Sequence, residues 1–414
     1  MAAYSPLSKE LTGRLGKATK QAQGIYFTPP GCIARNLALL APYLASGEFK
    51  EVLEPACGSG EYLTALRAAY PTIRLTGIEY NRTIYEAIEG LAADATLLHE
   101  NYLAYRPATL YDLIIGNPPY FVLSKTEVPK AYHPYFDGRP NIFILFLLHS
   151  LRLLRPGGLL SFILPKNFLN CLYYDKTRAY LNKRCEILVI EECSTEKYLE
   201  TQQETIIFIA RKRTTAQAAA QKTIKLQKKS NKAFILERQG YTIFAPPASI
   251  PILNGLYQGS TSLAALGFKV SVGTVVWNQC KDILTADATQ TRLIYSSDIV
   301  ENKLSLKSYT NPEKKNFIQQ AGWTQPLLIV NRGYGVGDYK FNYCLLDGGT
   351  PYLIENHLIY IDTLEPRADL LTAYEKIIAS FNDERTADFI RAYCGNNALN
   401  TTELATILPI YHQA

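Results

Sequence analysis

The stretch Asp112-Leu113-Ile114-Ile115-Gly116-Asn117-Pro118-Pro119-Tyr120 joins a short apolar run to a rigid polar turn. Leu113 to Ile115 is continuous and apolar, as expected of a parallel strand that is covered on both faces. Gly116 then frees the backbone, and two prolines fix it directly after Asn117. Because ligands of open α/β sheets bind just beyond the carboxyl ends of strands, the sequence predicts a binding site at this turn.

The composition indicates a globular protein with more than one domain. A chain of 414 residues is too long for one ordinary hydrophobic core and predicts two domains. The net charge of +6 fits a nucleic-acid partner, but it also fits many proteins without one. The 29 tyrosines offer faces for stacking on bases, yet tyrosine is equally an ordinary core and interface residue.

Several classes of protein are disfavoured. None of the eight cysteines has Cys-x-x-Cys spacing or lies near a histidine cluster, so we expect no metal site. The first 20 residues are polar and basic, which predicts no signal peptide. The most apolar stretch, 142–154, is interrupted by His149 and Arg152, which disfavours a membrane span. We therefore expect a reduced, soluble, cytoplasmic protein.

A second motif, Val52 to Leu63, predicts a strand that runs into a glycine turn and then a helix. Gly58 and Gly60 allow a ligand to approach the backbone, and the first helix amides carry positive partial charge. Leu63 replaces the third glycine of the dinucleotide fingerprint, and the Lys-Ser/Thr of a phosphate loop is absent. The next strand ends at Glu79, which is placed to accept hydrogen bonds from ribose hydroxyls. Together these motifs favour a site for a nucleoside-containing ligand. The alternative is that Glu79 is an ordinary surface carboxylate at the end of a strand.

Strands and helices alternate from 51 to 192, which predicts a doubly wound α/β sheet with a closing antiparallel strand. Before it, Thr28 suits a helix N-cap and Pro29 the first helical position. We expect residues 1–23 to be a loosely attached N-terminal arm and 24–213 to form the first domain.

The composition changes after Arg213. Residues 214–232 are rich in Thr, Ala, Gln and Lys, which predicts a linker. Residues 233–414 have shorter apolar runs and frequent turns, and predict a mixed α+β domain. This half has no recognisable catalytic constellation, so we expect it to have a recognition role.

The motifs resemble, in their order, the amino-methylating DNA methyltransferases of the gamma arrangement, typified by the TaqI adenine enzyme. The Asn-Pro-Pro-Tyr turn at 117–120 is the specific part. The supporting parts are Phe27-Thr28-Pro29, residues 53–60, Gly77-Ile78-Glu79, the hairpin at 198–209, and weaker segments at 354–358 and 394–400. The resemblance implies a doubly wound, Rossmann-like S-adenosylmethionine-dependent methyltransferase domain followed by a mixed α+β DNA target-recognition domain.

The resemblance implies S-adenosylmethionine as the cofactor. Glu79 would hold the ribose, Glu54 would line the methionine end, and Phe146 would pack on the adenine, although its spacing equally allows a core role. Asn101 stands where the family usually has Asp, and its amide oxygen can still accept a hydrogen bond. The full set implied is Phe27, Thr28, Pro29, Glu54, Ala56, Cys57, Gly58, Gly60, Glu79, Tyr80, Asn101, Tyr102, Asn117 and Phe146.

The implied reaction is methyl transfer to the exocyclic amino group of an adenine in duplex DNA. The side-chain oxygen of Asn117 and the carbonyl of Pro118 would accept the amino hydrogens and concentrate electron density on nitrogen. The base must first be flipped out of the stack. Tyr120, after Pro119, would stack on one face and Tyr198 on the other, although Tyr198 can also be an ordinary loop aromatic.

Duplex DNA is the implied partner, in a restriction-modification or orphan epigenetic role, and a cognate restriction endonuclease is a conceivable second partner. We expect a monomer. A protein-glutamine or RNA amino methyltransferase remains an alternative because these enzymes share the turn. A second alternative is a DNA-specificity subunit with an inert methylase half.

Basic and aromatic residues interleave in the loop 121–140, which suits a nucleic-acid backbone but also an ordinary solvated loop. The candidate DNA-binding residues are Lys125, Lys130, Arg139, Lys166, Asn167, Arg332, Lys340 and Asn342.

Overall fold

The computed structural model describes residues 4–45, 49–90, 94–193, 198–201, 203–214, 231–305, 307–332, 341–393 and 399–411. The chain divides into two compact units, Met1–Ile250 and Pro251–Ala414. The sequence placed the start of the second domain at 233, whereas residues up to 250 lie in the first unit. Most of the predicted linker, Lys340 and the segment 394–398 lie outside the described residues.

A seven-stranded sheet forms the centre of the first unit. Its strands are β1 Glu51–Glu54, β2 Arg74–Glu79, β3 Ala95–His99, β4 Tyr111–Gly116, β5 Leu154–Pro165, β6 Cys185–Glu192 and β7 Thr205–Lys212. They lie in the order β3-β2-β1-β4-β5-β7-β6. Neighbouring strands are parallel from β3 to β5, and β7 runs antiparallel to both β5 and β6. This confirms the predicted doubly wound sheet with its antiparallel strand.

Helices cover both faces of this sheet. They are α1 Pro6–Arg14, α2 Lys17–Gln23, α3 Pro30–Leu44, α4 Glu61–Ala69, α5 Arg82–Ile88, α6 Ile142–Leu153 and α7 Asp175–Arg184. Successive residues of β4 point to opposite faces: Ile114 joins the core that contains α6, and Leu113 and Ile115 join the core beneath α3 and α4. All three are fully buried, as a continuous apolar strand requires.

The N-terminal segment is attached more firmly than its polar composition suggests. Ser5 caps α1, and the Ser8 hydroxyl of that helix donates to the Ser59 hydroxyl at 2.8 Å. Leu11 is fully buried in a small core with Phe27. The expectation of a loose arm is therefore wrong for the described part, because a few apolar side chains on α1 are enough to anchor it.

A hairpin of strands β8 Ile235–Arg238 and β9 Tyr241–Phe244 packs on the first unit. Phe244 lies parallel to Phe208 of β7, with ring centroids 6.1 Å apart. The fully buried Arg178 donates to the carbonyl oxygens of Thr242 at 2.5 Å and Phe168 at 2.9 Å. These contacts explain why the first unit extends to residue 250.

The second unit is mixed α+β, as predicted, and contains two four-stranded sheets among the described residues. Their strands are β11 Phe268–Val272, β12 Leu284–Thr285, β13 Thr291–Ile294, β16 Phe317–Ile318, β17 Leu327–Asn331, β18 Tyr343–Leu346, β19 Tyr352–Ile354 and β20 Leu358–Thr363. One sheet has the order β11-β20-β17-β18 and the other β12-β16-β13-β19.

Shorter elements complete this part of the chain. The strand pairs are β10 Ser260–Thr261 with β21 Ile410–Tyr411, and β14 Ile299–Val300 with β15 Lys303–Leu304. The helices are α8 Ser249–Leu256, which begins in the first unit, α9 Leu370–Phe381 and α10 Glu384–Tyr393, followed by a π-helical turn at Glu403–Ile407. Within the described ranges, no helix combines the length and apolar character that crossing a bilayer would require.

Candidate functional site

A cavity of about 470 Å³ lies at the carboxyl ends of β1, β2 and β4. Leu53 of β1 is paired with Ile114 of β4, so the loops that follow these two strands are neighbours. The cavity volume falls within the ~300–1,000 Å³ that small-molecule sites usually occupy. The switch in strand order between β1 and β4 thus places a ligand-sized space beside the Asn-Pro-Pro-Tyr turn.

The glycine turn and Glu79 are joined by direct hydrogen bonds. Gly58 and Gly60 have φ of +51° and +75°, a conformation that favours glycine. The Gly58 amide donates to Glu79 Oε2 at 3.0 Å, and the Asn81 amide donates to Oε1 at 2.7 Å. Burial raises the pKa of Glu79, while these amides act against that shift. The carboxylate is therefore held in one orientation at the wall of the cavity.

Glu54, at the end of β1, is buried and lines a smaller cavity of about 40 Å³. Its Oε2 atom has no hydrogen-bond partner within the described structure. Burial raises the pKa of Glu54 well above its ordinary value, and the nearby negative charge of Glu79 raises it further. A buried acid oxygen without a partner is costly, so this position suits a ligand group that donates hydrogen bonds or carries positive charge.

Aromatic and amide groups form the opposite end of the large cavity. Phe146 of α6 borders the cavity and lies 4.8 Å from the ring of Tyr102, centroid to centroid. Asn101 caps the short turn that follows, and its Oδ1 accepts a hydrogen bond from the Leu103 amide at 3.0 Å. Phe146 is 6% exposed and belongs both to the core and to the cavity wall, so its core role is confirmed and its packing on an adenine stays a prediction.

Asn117 borders both cavities. Its Nδ2 donates to the carbonyl oxygen of Tyr26 at 3.3 Å. The hydroxyl of Tyr120 lies 2.5 Å from Asn117 Oδ1 and 2.8 Å from the carbonyl oxygen of Ile163, so its one proton can go to either acceptor. The amide oxygen has two lone pairs, so it can accept a second hydrogen bond from a ligand.

Tyr198 lies apart from the large cavity. It is 8% exposed and lines a small cavity with Lys20, Tyr26 and Glu200. Tyr120 likewise does not line the large cavity; its half-buried ring makes an edge contact with Phe143 at 6.0 Å. Their assignment as stacking partners of a base stays a prediction.

The remaining predicted cofactor residues differ in position. Phe27, Ala56, Gly58, Tyr80 and Tyr102 line the large cavity, and Thr28 and Cys57 line the smaller one. Pro29 and Gly60 line neither. Pro29, not Thr28, is the N-cap of α3, because Pro30 takes a position in the first helical turn.

The sequence did not identify every residue of the large cavity. Gln23, Gly24, Ile25 and Tyr26 enter it from the N-terminal segment, and Ile142 and Leu145 enter it from α6. Helical spacing could have indicated this α6 pair, since Ile142 lies four residues before Phe146 and Leu145 lies three residues after Ile142. No comparable sequence pattern indicated that residues 23–26 would line the cavity.

The candidate DNA-binding residues fall into three groups. Lys125, Lys130 and Arg139 are exposed. Lys166 is paired with Glu192 at 2.9 Å and lies 3.8 Å from Glu204, and Asn167 is half-buried beside it. In the second unit, Arg332 is exposed, Asn342 is partly exposed, and Lys340 lies outside the described residues.

Residues 73–199 match the family described as Eco57I restriction-modification methylase. The type II methyltransferase M.CvrRI of Paramecium bursaria Chlorella virus XZ-6E is 26% identical, and the match covers 97% of each chain. The type II methyltransferase M.TthHB8I of Thermus thermophilus is 32% identical over 42% of each chain. In sequence, the chain is similar to methyltransferases of the restriction-modification type.

A solved structure with a similar fold spans most of the chain. The DrdV protein in its DNA complex has a TM-score of 0.52 and 12% identity, and the match covers 94% of this chain and 55% of that one. The predicted Rossmann-like methyltransferase fold and its S-adenosylmethionine cofactor are confirmed. Adenine specificity and the gamma arrangement stay predictions.

The two cavities fit S-adenosylmethionine. This molecule carries a nucleoside at one end and the ammonium and carboxylate of methionine at the other. The large cavity offers the Phe146 ring and the Glu79 carboxylate, and the small one offers the unpartnered oxygen of Glu54. Each end of the cofactor thus has a chemically matched group.

Proposed function

We propose that the protein transfers a methyl group from S-adenosylmethionine to the exocyclic amino group of an adenine flipped out of duplex DNA. The observation that carries this proposal is that Asn117 borders both cavities. In the cofactor the sulfonium joins the nucleoside to methionine. A residue at the junction of the two cavities therefore stands beside the transferable methyl group.

The cofactor contacts follow from the positions of the lining residues. Glu79 accepts hydrogen bonds from the ribose hydroxyls, while the Gly58 and Asn81 amides keep its oxygens oriented. Glu54 pairs with the methionine ammonium, which provides its free oxygen with a donor. Phe146 packs against the adenine, and Asn101 accepts a hydrogen bond from the adenine amino group with the lone pair that its turn leaves available.

The protein's task in the reaction is to make a poor nucleophile reactive. The lone pair of the target amino nitrogen is delocalised into the purine ring. Asn117 Oδ1 and the Pro118 carbonyl accept its two hydrogens and concentrate electron density on the nitrogen. When bound, S-adenosylmethionine supplies an electrophilic methyl group on a sulfonium, which departs as a neutral thioether. The methylated nitrogen then loses one proton to solvent, so Asn117 need not form a covalent bond.

The target base requires a place beside this turn. Tyr120 is a suitable wall because its hydroxyl and its edge contact with Phe143 fix the ring. Tyr198 is buried against the N-terminal segment, so its use as the second wall requires the segment 198–201 to move when a base enters. Flipping a base out of a duplex costs a few kcal/mol, which such stacking would offset.

DNA is favoured over other substrates by the comparison that spans the whole chain. M.CvrRI, a type II methyltransferase, matches both units and not the catalytic unit alone. The DrdV neighbour was solved as a DNA complex. We accordingly assign target recognition to the second unit, with a restriction-modification or orphan role, and a monomer as the working form. A cognate restriction endonuclease would be the second partner in a restriction-modification role.

The test is methyl transfer from tritium-labelled S-adenosylmethionine to duplex DNA, RNA and release factor in parallel. We expect label on adenine in DNA. Asn117→Ala should lower the rate by about 100-fold or more, as loss of one catalytic hydrogen-bonding group does, while S-adenosylhomocysteine still binds. Asn311→Ala, at an exposed turn of the second unit, is the control. Label on RNA or protein with none on DNA would overturn the proposal.

A further inference from the structure

The segment Lys20–Tyr26, which we call the strap, passes from α2 over the Asn-Pro-Pro-Tyr turn. Gly24 ends α2 with φ of +63°. A Cβ atom at Gly24 would lie 2.7 Å from the backbone nitrogen of Tyr120 and 3.1 Å from Pro119 Cβ. The first distance is too short for any real contact, and its partner is backbone that cannot swing aside. Only glycine allows the strap to lie this close to the turn.

The same segment determines which way the Asn117 side chain faces. The carbonyl oxygen of Tyr26 can only accept a hydrogen bond, and Asn117 Nδ2 donates to it at 3.3 Å. If the amide were turned by 180°, Asn117 Oδ1 would face that carbonyl, and two acceptors would repel each other. The strap therefore keeps Nδ2 toward Tyr26 and directs Oδ1 away from it.

Three contacts fix the strap itself. Lys20, which is only 7% exposed, donates to Glu200 Oε1 at 2.6 Å and to the Thr12 carbonyl at 2.7 Å. Gln23 Oε1 accepts from Asn81 Nδ2 at 2.9 Å, which connects the strap to the loop after β2. These contacts hold the part of the strap that directly precedes Gly24.

We propose that Gly24 and Tyr26 are positioning residues for methyl transfer: they hold the amide of Asn117 with its oxygen toward the target amino group. The inference rests on the proposed role of Asn117 as the acceptor. Neither residue needs to touch the reacting nitrogen. A side chain at Gly24 would push the turn away from the Tyr26 carbonyl and release the amide orientation.

The test is Gly24→Ala in the full-length protein. We expect kcat to fall by about 100-fold, because misplacing a reacting group by ~1 Å costs that much, while the dissociation constant for S-adenosylhomocysteine changes much less. The matched control is Gly240→Ala. Gly240 also has positive φ, +83°, but nothing lies within 4 Å of a Cβ placed there. Alanine at position 240 imposes the same kind of backbone strain but does not push on the turn, so kcat should stay unchanged.

A double-mutant cycle separates this inference from the proposed function. In an Asn117→Ala background, Gly24→Ala should reduce the single-turnover rate little further, because its effect acts through Asn117. Full additivity, or an unchanged kcat for Gly24→Ala alone, would overturn the positioning role even if Asn117 proves essential. If Asn117→Ala itself retains full activity, the proposed function fails instead.

Glu200→Gln supplies a second route if Gly24→Ala does not fold. Glu200 is partly exposed, and this change removes the charge partner of Lys20 without touching the turn. We expect a several-fold lower kcat with nearly unchanged cofactor affinity. An unchanged kcat for this variant would contradict the proposal.

Discussion

Replacing Glu54 by Gln should change the stability of the free protein and its cofactor affinity in opposite directions. Glu54 is 3% exposed, and its Oε2 atom has no hydrogen-bond partner within the described structure. The free protein therefore bears the cost of a buried acid. The proposed complex uses that acid to hold the methionine ammonium. Gln has nearly the same shape but carries no charge, so it lowers the cost of burial and removes the attraction to the ammonium.

The expected changes in melting temperature and cofactor affinity follow from the burial of Glu54 and from the hydrogen bond that it would form to the cofactor. Leaving a buried polar atom unsatisfied costs about 1–3 kcal/mol, more for a charged group than for an amide. We expect Glu54→Gln to raise the melting temperature of the free protein by about 2–4 °C for each kcal/mol recovered. A hydrogen bond to a charged group contributes about 1.5–3 kcal/mol, so cofactor affinity should fall about 10- to 150-fold.

The pH dependence has a definite sign. The pKa of Glu54 in the free protein is raised by burial and by Glu79, so the folded state binds this proton more tightly than the unfolded state. Its contribution to stability falls as pH rises from the unfolded pKa to the folded pKa. An ammonium favours the carboxylate, so cofactor binding releases a proton, and affinity rises with pH until the free-state pKa is passed. Glu54→Gln should flatten that part of the profile.

Differential scanning fluorimetry and isothermal titration calorimetry with S-adenosylhomocysteine measure both quantities. Titrations in buffers of different ionisation enthalpy count the released proton, below ~pH 7 where the ligand ammonium stays charged. Glu191→Gln, at a surface pair with Arg35, is the control and should alter neither measurement much. A Glu54→Gln protein that binds cofactor as tightly as the parent, or that melts earlier without it, would refute the reasoning.

The candidate DNA-binding residues and Asn101, a candidate cofactor-binding residue, give two further predictions. Changing Lys125, Lys130 and Arg139 together to Ala should reduce the slope of log affinity against log salt by about 3, since each phosphate contact contributes ~0.9. Lys166→Ala should change that slope less, because Glu192 already neutralises its charge; equal effects in filter-binding titrations would contradict the assignment. Asn101→Asp should tighten cofactor binding about 5-fold by calorimetry, since a charged acceptor gains ~1 kcal/mol over a neutral one. Unchanged or weaker binding would place Asn101 away from the adenine.

The elements that carry the cofactor site could be predicted because their signals are local. A three-residue apolar run followed by Gly116 and two prolines indicates a buried strand and the turn at its end without any knowledge of distant residues. The signals of Gly58, Gly60 and Glu79 are local in the same way. The structure places Gly58 and Glu79 in direct contact, which their sequence spacing alone only suggested.

Contacts between distant segments could not be predicted in this way. Asn117 and Tyr26 are 91 positions apart, and the bond between them uses a backbone oxygen that every residue type possesses. Arg178 and Thr242, which hold the β8–β9 hairpin to the first unit, are 64 positions apart. At the start of α3 the difficulty was different. The sequence predicted Thr28 as the cap and Pro29 as the first helical residue, whereas both positions lie one residue later in the structure, and propensity alone does not choose between registers one residue apart.

At the Asn-Pro-Pro-Tyr turn, the identities of the residues do not by themselves determine how their side chains are oriented. Asn117 is oriented by the carbonyl of Tyr26, and Tyr120 by the carbonyl of Ile163, while Gly24 sets the distance of the strap from the turn. Two of these three constraints come from main-chain atoms, which a side-chain substitution does not remove. Substitutions in the strap should therefore matter according to the backbone displacement that they cause, not the side chain that they delete. At Gly24 an added carbon atom would lie 2.7 Å from the amide nitrogen of Tyr120 in the turn itself, so the strap or the turn must move to make room for it.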